Sequence, residues 1–211
     1  MIMIHKHPLP NEVTITREED YRSGIVFQML VEDFHDKCYI CEDSVHTAPN
    51  VDHRISHGGN IKLKYDWNNL YLSCSHCNNT KSNKYDGIID PTKIDPEKVI
   101  KLSLTVDDEL RETVIVQKID GNGDVDITVN LLNAVYNGIN TDMKKYASQQ
   151  LKNKLSNELS WFRMKIEKYK TDKSESNKAV IAQALTDNSV FAAFKRGMVR
   201  DDPDIVKAIC V

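Results

Sequence analysis

The sequence predicts an α+β protein: a zinc-stapled ββα unit, with an amino-terminal helix before it and a mixed, mostly helical extension after it. Three observations carry that expectation. Two Cys-x2-Cys pairs, Cys38/Cys41 and Cys74/Cys77, bracket a short segment that reads as strand, loop and strand, with a short helix opening at the second pair. Apolar residues recur at helical spacing before the first pair. Beyond residue 140, Met143, Ala147, Leu151, Leu155 and Leu159 recur every fourth residue.

Thr16 followed by Glu19 has the spacing of a capping box, and Tyr21, Ile25, Met29, Val26, Leu30 and Phe34 then predict a helix over about Arg17–Asp36. Asn50–Ile55 reads as a strand, Ser56–Asn60 as a glycine-rich turn, Asn69–Ser73 as a second strand and Ser75–Tyr85 as a helix. Asp90-Pro91 and Asp95-Pro96 mark a boundary, dividing the chain into 1–90 and 91–211. Past it, Lys101–Val106, Thr113–Ile119 and Asp126–Val129 read as strands. Asp120, Asn122, Asp124 and Asp126 imitate a calcium loop, but Val125 stands where glycine is needed and Leu131 where glutamate is needed, so a turn is expected. The helix from Met143 could run about 28 residues, roughly 42 Å, longer than one small core covers, which suits a docking surface for a partner as well as a core helix. Shorter helices are expected near Lys178–Leu185 and Ser189–Arg200.

Charged residues make up 28 % and hydrophobic residues 40 %, the composition of an ordinary soluble protein, with no apolar run long enough to span a membrane and no signal peptide; the cytoplasm is expected. The formal charge of −3 weighs against a freestanding nucleic-acid binder. The segment Val51–Gly87 is nevertheless mildly basic, with Arg54, Lys62, Lys64, Lys81 and Lys84 against Asp52, Asp66 and Asp86.

In a cytosolic chain, paired Cys-x2-Cys units are metal ligands rather than disulfides. Two residues between thiolates let one tight turn supply both sulfurs to a tetrahedral Zn²⁺, and a closed four-thiolate site leaves no position for catalysis. The zinc is therefore structural. The fifth cysteine, Cys210, reads as a buried or idle thiol.

Between and after the pairs stand Asp52-His53, Gly58-Gly59, Asn69-Leu70 and Cys74-x2-Cys77-Asn78-x2-Lys81. In this order they resemble the HNH (ββα-metal) endonucleases, over about Cys38 to Lys84. Ser56 departs from the proline many members carry, and Asn78 stands where the motif's last letter is histidine. Phosphodiester hydrolysis needs an activated water and stabilisation of the leaving oxygen. His53 suits the base near neutral pH, with Asn69 expected to orient its imidazole. Asp52 and Asn78 offer hard oxygens to Mg²⁺ or Mn²⁺. Lys81, Lys84, Arg54 and His57 are expected to hold the nucleic-acid backbone, with DNA favoured over RNA. His76 reads as exposed and Trp67 as core. The alternative reading is a zinc-containing nucleic-acid-binding or assembly subunit that does not cleave.

A wider layout adds Ile89-Asp90-Pro91, Asp95-Pro96-Glu97, Leu131-Leu132-Asn133, the long helix and Phe191-Ala192-Ala193-Phe194-Lys195-Arg196. It resembles the HNH subunit of bacterial Septu and retron-associated anti-phage systems. That resemblance implies a role in phage defence and a large ATPase of the structural-maintenance-of-chromosomes type as partner.

Overall fold

In a computed structural model that describes residues 1–200 and 202–209, a small hairpin sits at the centre of the amino-terminal half. Strand β1 (Pro49–His53) pairs antiparallel with β2 (Leu70–Cys74), Val51 opposite Leu72 and Asp52 opposite Tyr71. Leu70, Tyr71 and Leu72 are all buried, so both faces of β2 are covered. Helix α4 (Ser75–Lys81) follows without a linker, because Cys74 is also its N-cap: the Cys74 sulfur accepts the backbone N–H of Cys77. The helix stops at Lys81, as Ser82 turns to φ 41°. It is thus shorter than expected, and Lys84 lies beyond it.

The expected single helix over Arg17–Asp36 is broken into α1 (Glu18–Arg22) and α2 (Gly24–Asp33). Ser23 is extended and Gly24 takes φ 64°, a conformation that costs glycine nothing. The periodicity ran through the break because Tyr21 and Val26, Leu30 and Phe34 all reach one core. The start is fixed by Asp20, not Glu19: its Oδ2 accepts the backbone N–H groups of Thr16 at 2.8 Å and Arg17 at 2.9 Å. Helix α3 (Ile61–Lys64) and a 3-10 turn (Trp67–Asn69) fill the connection between β1 and β2.

In the extension, α5 (Pro96–Val99) leads into β3 (Ile100–Val106), which pairs antiparallel with β4 (Glu112–Lys118). The expected third strand at Asp126–Val129 is instead part of helix α6 (Gly123–Asn137). The β-branched run Val125, Ile127, Thr128 and Val129 imitated a strand. Val125, Thr128, Leu131, Leu132, Val135 and Tyr136 form one buried helical stripe, and packing overrides local propensity. Helix α7 (Asp142–Thr171) has 30 residues. Then come α8 (Glu175–Ala184), α9 (Ala192–Arg200) and α10 (Pro203–Ile209), the last of which was not expected. Cys210 lies outside the described residues.

A single hydrophobic cluster joins Leu30 and Tyr71 to Leu132, Tyr136, Leu155 and Phe194, crossing the expected boundary at residue 90. A second, smaller one gathers Phe162, Ile166, Ile181 and Ile205. Polar ties accompany the first. The Tyr136 hydroxyl donates to the Cys41 carbonyl at 2.8 Å, the Ile89 N–H donates to Thr128 Oγ1 at 2.9 Å, and the Tyr71 hydroxyl donates to Asp90 at 2.6 Å. The extension thus packs directly on the unit that carries the four cysteines.

Leu155 is fully buried in the shared cluster. Leu155→Ala is expected to cost about 2–5 kcal/mol of stability, with loss of helicity and release of bound zinc at one denaturant concentration. Two separate transitions would instead divide the chain into two independently stable parts.

Candidate active site and metal centre

Cys38, Cys41, Cys74 and Cys77 bring their four sulfurs within 4.8 Å of one another, and three of the four residues are buried. The Cys41 and Cys74 sulfurs stand 3.9 Å apart, against about 3.8 Å for the edge of a tetrahedron with 2.3 Å Zn–S bonds and about 2.05 Å for a disulfide. The four thiolates are positioned to bind a metal ion, and the donor set and spacing fit zinc. Without the ion, hydrogen bonding to Cys38 holds the Cys41 thiol up, and burial does the same for Cys77. A divalent cation reverses both by stabilising the thiolates.

A second site opens on the other side of α4. A cavity of about 320 Å³ is lined by Tyr21 from α1, Asp52 and His53 from β1, His57 from the glycine-rich turn and Asn78 from α4. The half-buried His53 imidazole places Nε2 2.9 Å from the Lys64 carbonyl. A carbonyl only accepts, so Nε2 carries the proton and Nδ1 keeps its lone pair. Burial lowers the His53 pKa; the bond to the Lys64 carbonyl opposes that, and the neighbouring His57 and Lys81 add to it, leaving the net shift downward. The ring is neutral near pH 7, the state a base requires. Tyr21 meets it edge-on at 5.8 Å and His57 at 4.9 Å between centroids.

Asp52 is the most constrained group in the cavity wall. Its Oδ2 accepts from the Tyr39 hydroxyl at 2.6 Å, and its Oδ1 lies 3.3 Å from the Lys81 ammonium. Burial raises the Asp52 pKa, and Lys81 and Tyr39 oppose that rise. Two bonds leave a carboxylate with free lone pairs. Asn78, half-buried on the same wall, makes no side-chain hydrogen bond among the described residues. Two hard oxygen donors with the remaining positions left to water and phosphate fit Mg²⁺ or Mn²⁺.

Several expectations are corrected. Lys81 does not face a nucleic-acid backbone: it is 1 % exposed and donates to the His53 carbonyl at 2.7 Å. The pleat that turns Asp52 inward created a buried carboxylate, and Lys81 neutralises it. Arg54 is also structural, donating to the Ile88 carbonyl at 2.9 Å and lying 3.8 Å from Asp90. Asn69 does not touch the imidazole. It binds the backbone of Ile55 through both its oxygen and its nitrogen, and donates to the Leu63 carbonyl at 2.9 Å. It therefore fixes the residue next to Lys64, whose carbonyl orients His53. His76 is half-buried and bonded to the Val135 carbonyl at 2.9 Å, not free. Lys84 is exposed, with its ammonium over the Tyr85 ring. His57 stays in the cavity, its Nδ1 accepting the Gly59 N–H at 3.1 Å. Trp67 is core, with the Lys6 ammonium 3.8 Å above its ring.

Tyr39 and the Lys64 carbonyl were missed. An aromatic between two zinc ligands gives no sign of reaching a carboxylate thirteen residues on, and a backbone oxygen leaves no mark in a sequence.

Residues 38–84 match the family model described as HNH endonuclease. No curated protein and no solved structure matches the chain. Among the described residues, no helix is long and apolar enough to cross a membrane.

Two outcomes are expected. Elemental analysis should find one zinc per chain, and Cys41→Ser should leave the amino-terminal unit unfolded, since a structural zinc supplies on the order of 10 kcal/mol to such a motif; a folded, zinc-free Cys41→Ser protein counts against this. Tyr39→Phe should retain its zinc and circular dichroism spectrum while binding Mn²⁺ about 10- to 100-fold more weakly by calorimetry, the usual loss for a group that orients a metal ligand.

Proposed function

We propose that the chain is a metal-dependent endonuclease that hydrolyses phosphodiester bonds of nucleic acid, with DNA preferred. The observation that carries this reading is the single cavity in which a neutral, oriented His53 meets the oxygen donors Asp52 and Asn78. The family match over residues 38–84 supports it.

His53 accepts the proton of the attacking water at Nδ1, while the Lys64 carbonyl holds Nε2–H and thereby the plane of the ring. Asp52 and Asn78 would hold Mg²⁺ or Mn²⁺, which when bound supplies Lewis-acid stabilisation of phosphate and leaving oxygen. Lys81 fixes the Asp52-His53 backbone from beneath through the His53 carbonyl. His57, beside His53, is placed to donate to a phosphate oxygen, and the exposed Lys84 is available to a neighbouring phosphate.

The setting proposed is anti-phage defence beside a large ATPase. Its support is the layout of motifs beyond residue 89. Because α6 and α9 already pack inward, a partner would meet the outer faces of the extension. A non-cleaving zinc module is the weaker reading, because binding alone requires neither an oriented neutral imidazole nor a buried carboxylate held by two side chains.

His53→Ala should lower cleavage of duplex DNA in Mg²⁺ or Mn²⁺ by about 10²- to 10⁴-fold, with zinc content and DNA affinity retained. Cleavage at the wild-type rate would falsify the assignment of the base.

A further inference from the structure

We infer that the outward face of helix α7 is a second nucleic-acid contact, one that grips the phosphate backbone of a duplex beside the catalytic cavity. This rests on the endonuclease reading. Helix α7 carries eight Lys and Arg against three acids in a chain whose net charge is −3, so positive charge is segregated onto it. Of the three acids, Asp142 is at the first turn, Glu158 is turned to the buried Lys195 and Glu167 is paired with Lys170.

The spacing orders the cations. Lys145 and Arg163 differ by eighteen residues, about five helical turns, and so align on one flank, where Lys152 is half-buried and donates to the Glu112 carbonyl at 2.9 Å. Lys165 and Lys168 lie on the other. Between the flanks, Gln149, Asn153 and Asn157 follow at four-residue steps, all exposed. Among the described residues, the side chains of Lys145, Arg163 and Lys168 have no hydrogen bond or ion pair. Two cationic rows with amides between them suit phosphates on either side of a groove. A hydrophobic partner face would need a continuous apolar stripe, and here Met143, Tyr146 and Met164 are the exposed apolar side chains, the last of them eighteen residues beyond the second. From Lys145 to Lys168 the helix rises about 35 Å, roughly one turn of duplex.

The face is also close to the chemistry. Helix α4 stands between them: Asn78 lines the catalytic cavity, while Ser75 and His76 line a second cavity of about 290 Å³ whose other wall includes Tyr146, Gln150 and Lys154 of α7. Lys154 closes that wall by an ion pair with Asp43 at 2.7 Å.

The test uses the full, zinc-loaded chain and a variant combining Lys145→Gln, Arg163→Gln and Lys168→Gln, changes that keep helix propensity. Affinity for a labelled duplex, without Mg²⁺ or Mn²⁺, is measured against salt concentration. The variant should bind more weakly, and the slope of log K against log salt should become shallower by about 0.9 for each lost contact, up to about 2.7. Hydrolysis of bis(p-nitrophenyl) phosphate, too small to reach α7 from the cavity, should be unchanged. An unchanged slope in a chain that still cuts duplex overturns the α7 contact and leaves the endonuclease reading intact. So does unchanged duplex binding with loss of an acidic protein partner. A wild-type chain that neither binds duplex nor hydrolyses the small ester overturns both.

Discussion

Closure of the four-thiolate site is the constraint on which the rest of the amino-terminal unit depends. Cys74 is at once the last residue of β2, the N-cap of α4 and one of the four cysteines positioned to bind a metal. The hairpin has only two strands, too few to be stable alone in water. Fixing Cys74 against Cys41 fixes the angle at which α4 leaves β2, and Asn78 rides on that helix. The same closure orders the loop that carries Tyr39, and so reaches Asp52. The extension reinforces it from outside, with the Tyr136 hydroxyl on the Cys41 carbonyl and the Val135 carbonyl on His76.

The second constraint is electrostatic. An unpaired buried carboxylate is costly, and removing its partner typically costs several kcal/mol. Asp52 is held by Lys81 and Tyr39 on its two oxygens, so the fold tolerates it without a bound cation. That arrangement has a consequence for chemistry. The carboxylate is oriented before any cation arrives, and preorganised groups lose less free energy on binding. His53 is treated alike, its ring plane set by a backbone carbonyl rather than by a mobile side chain.

The parts of the fold legible in sequence were those written in side-chain type and spacing. The cysteine pairs, the two strands between them and the leucine repeat of α7 all follow from such patterns. Where the reading failed, tertiary context decided. The run from Val125 to Val129 has strand residues at helix positions, and only the buried stripe continuing to Tyr136 reveals α6. Gly24 breaks a periodicity that both helical pieces share. At the site, residue types were legible but directions were not. Lys81, Arg54 and Asn69 were read as outward or catalytic because their chemistry permits it, whereas burial spends each on backbone carbonyls. Whether a lysine faces a phosphate or a buried aspartate is a matter of pleat and helix phase, and these are fixed only when the sheet and α4 pack.

That reassignment changes how the chain can hold a polyanion. With Lys81 and Arg54 turned inward, the one permanent cation lining the cavity among the described residues is Arg22, and it is ion-paired with Glu18 at 3.2 Å. A rim so sparse would hold a long duplex weakly at physiological salt, since nonspecific affinity scales with the number of phosphates neutralised. The missing charge has to come from elsewhere in the chain or from another molecule. Helix α7 carries eight cations against three acids, with Lys145, Arg163 and Lys168 exposed and outside the ion pairs that hold Lys154 and Lys170, and its amino-terminal half packs beside the four-cysteine site. The division of labour is physically sensible. Groups that catalyse need burial to set protonation and geometry, while groups that grip phosphate need exposure and freedom to follow the backbone, and in the proposed reading the two demands would be met on opposite sides of one short helix.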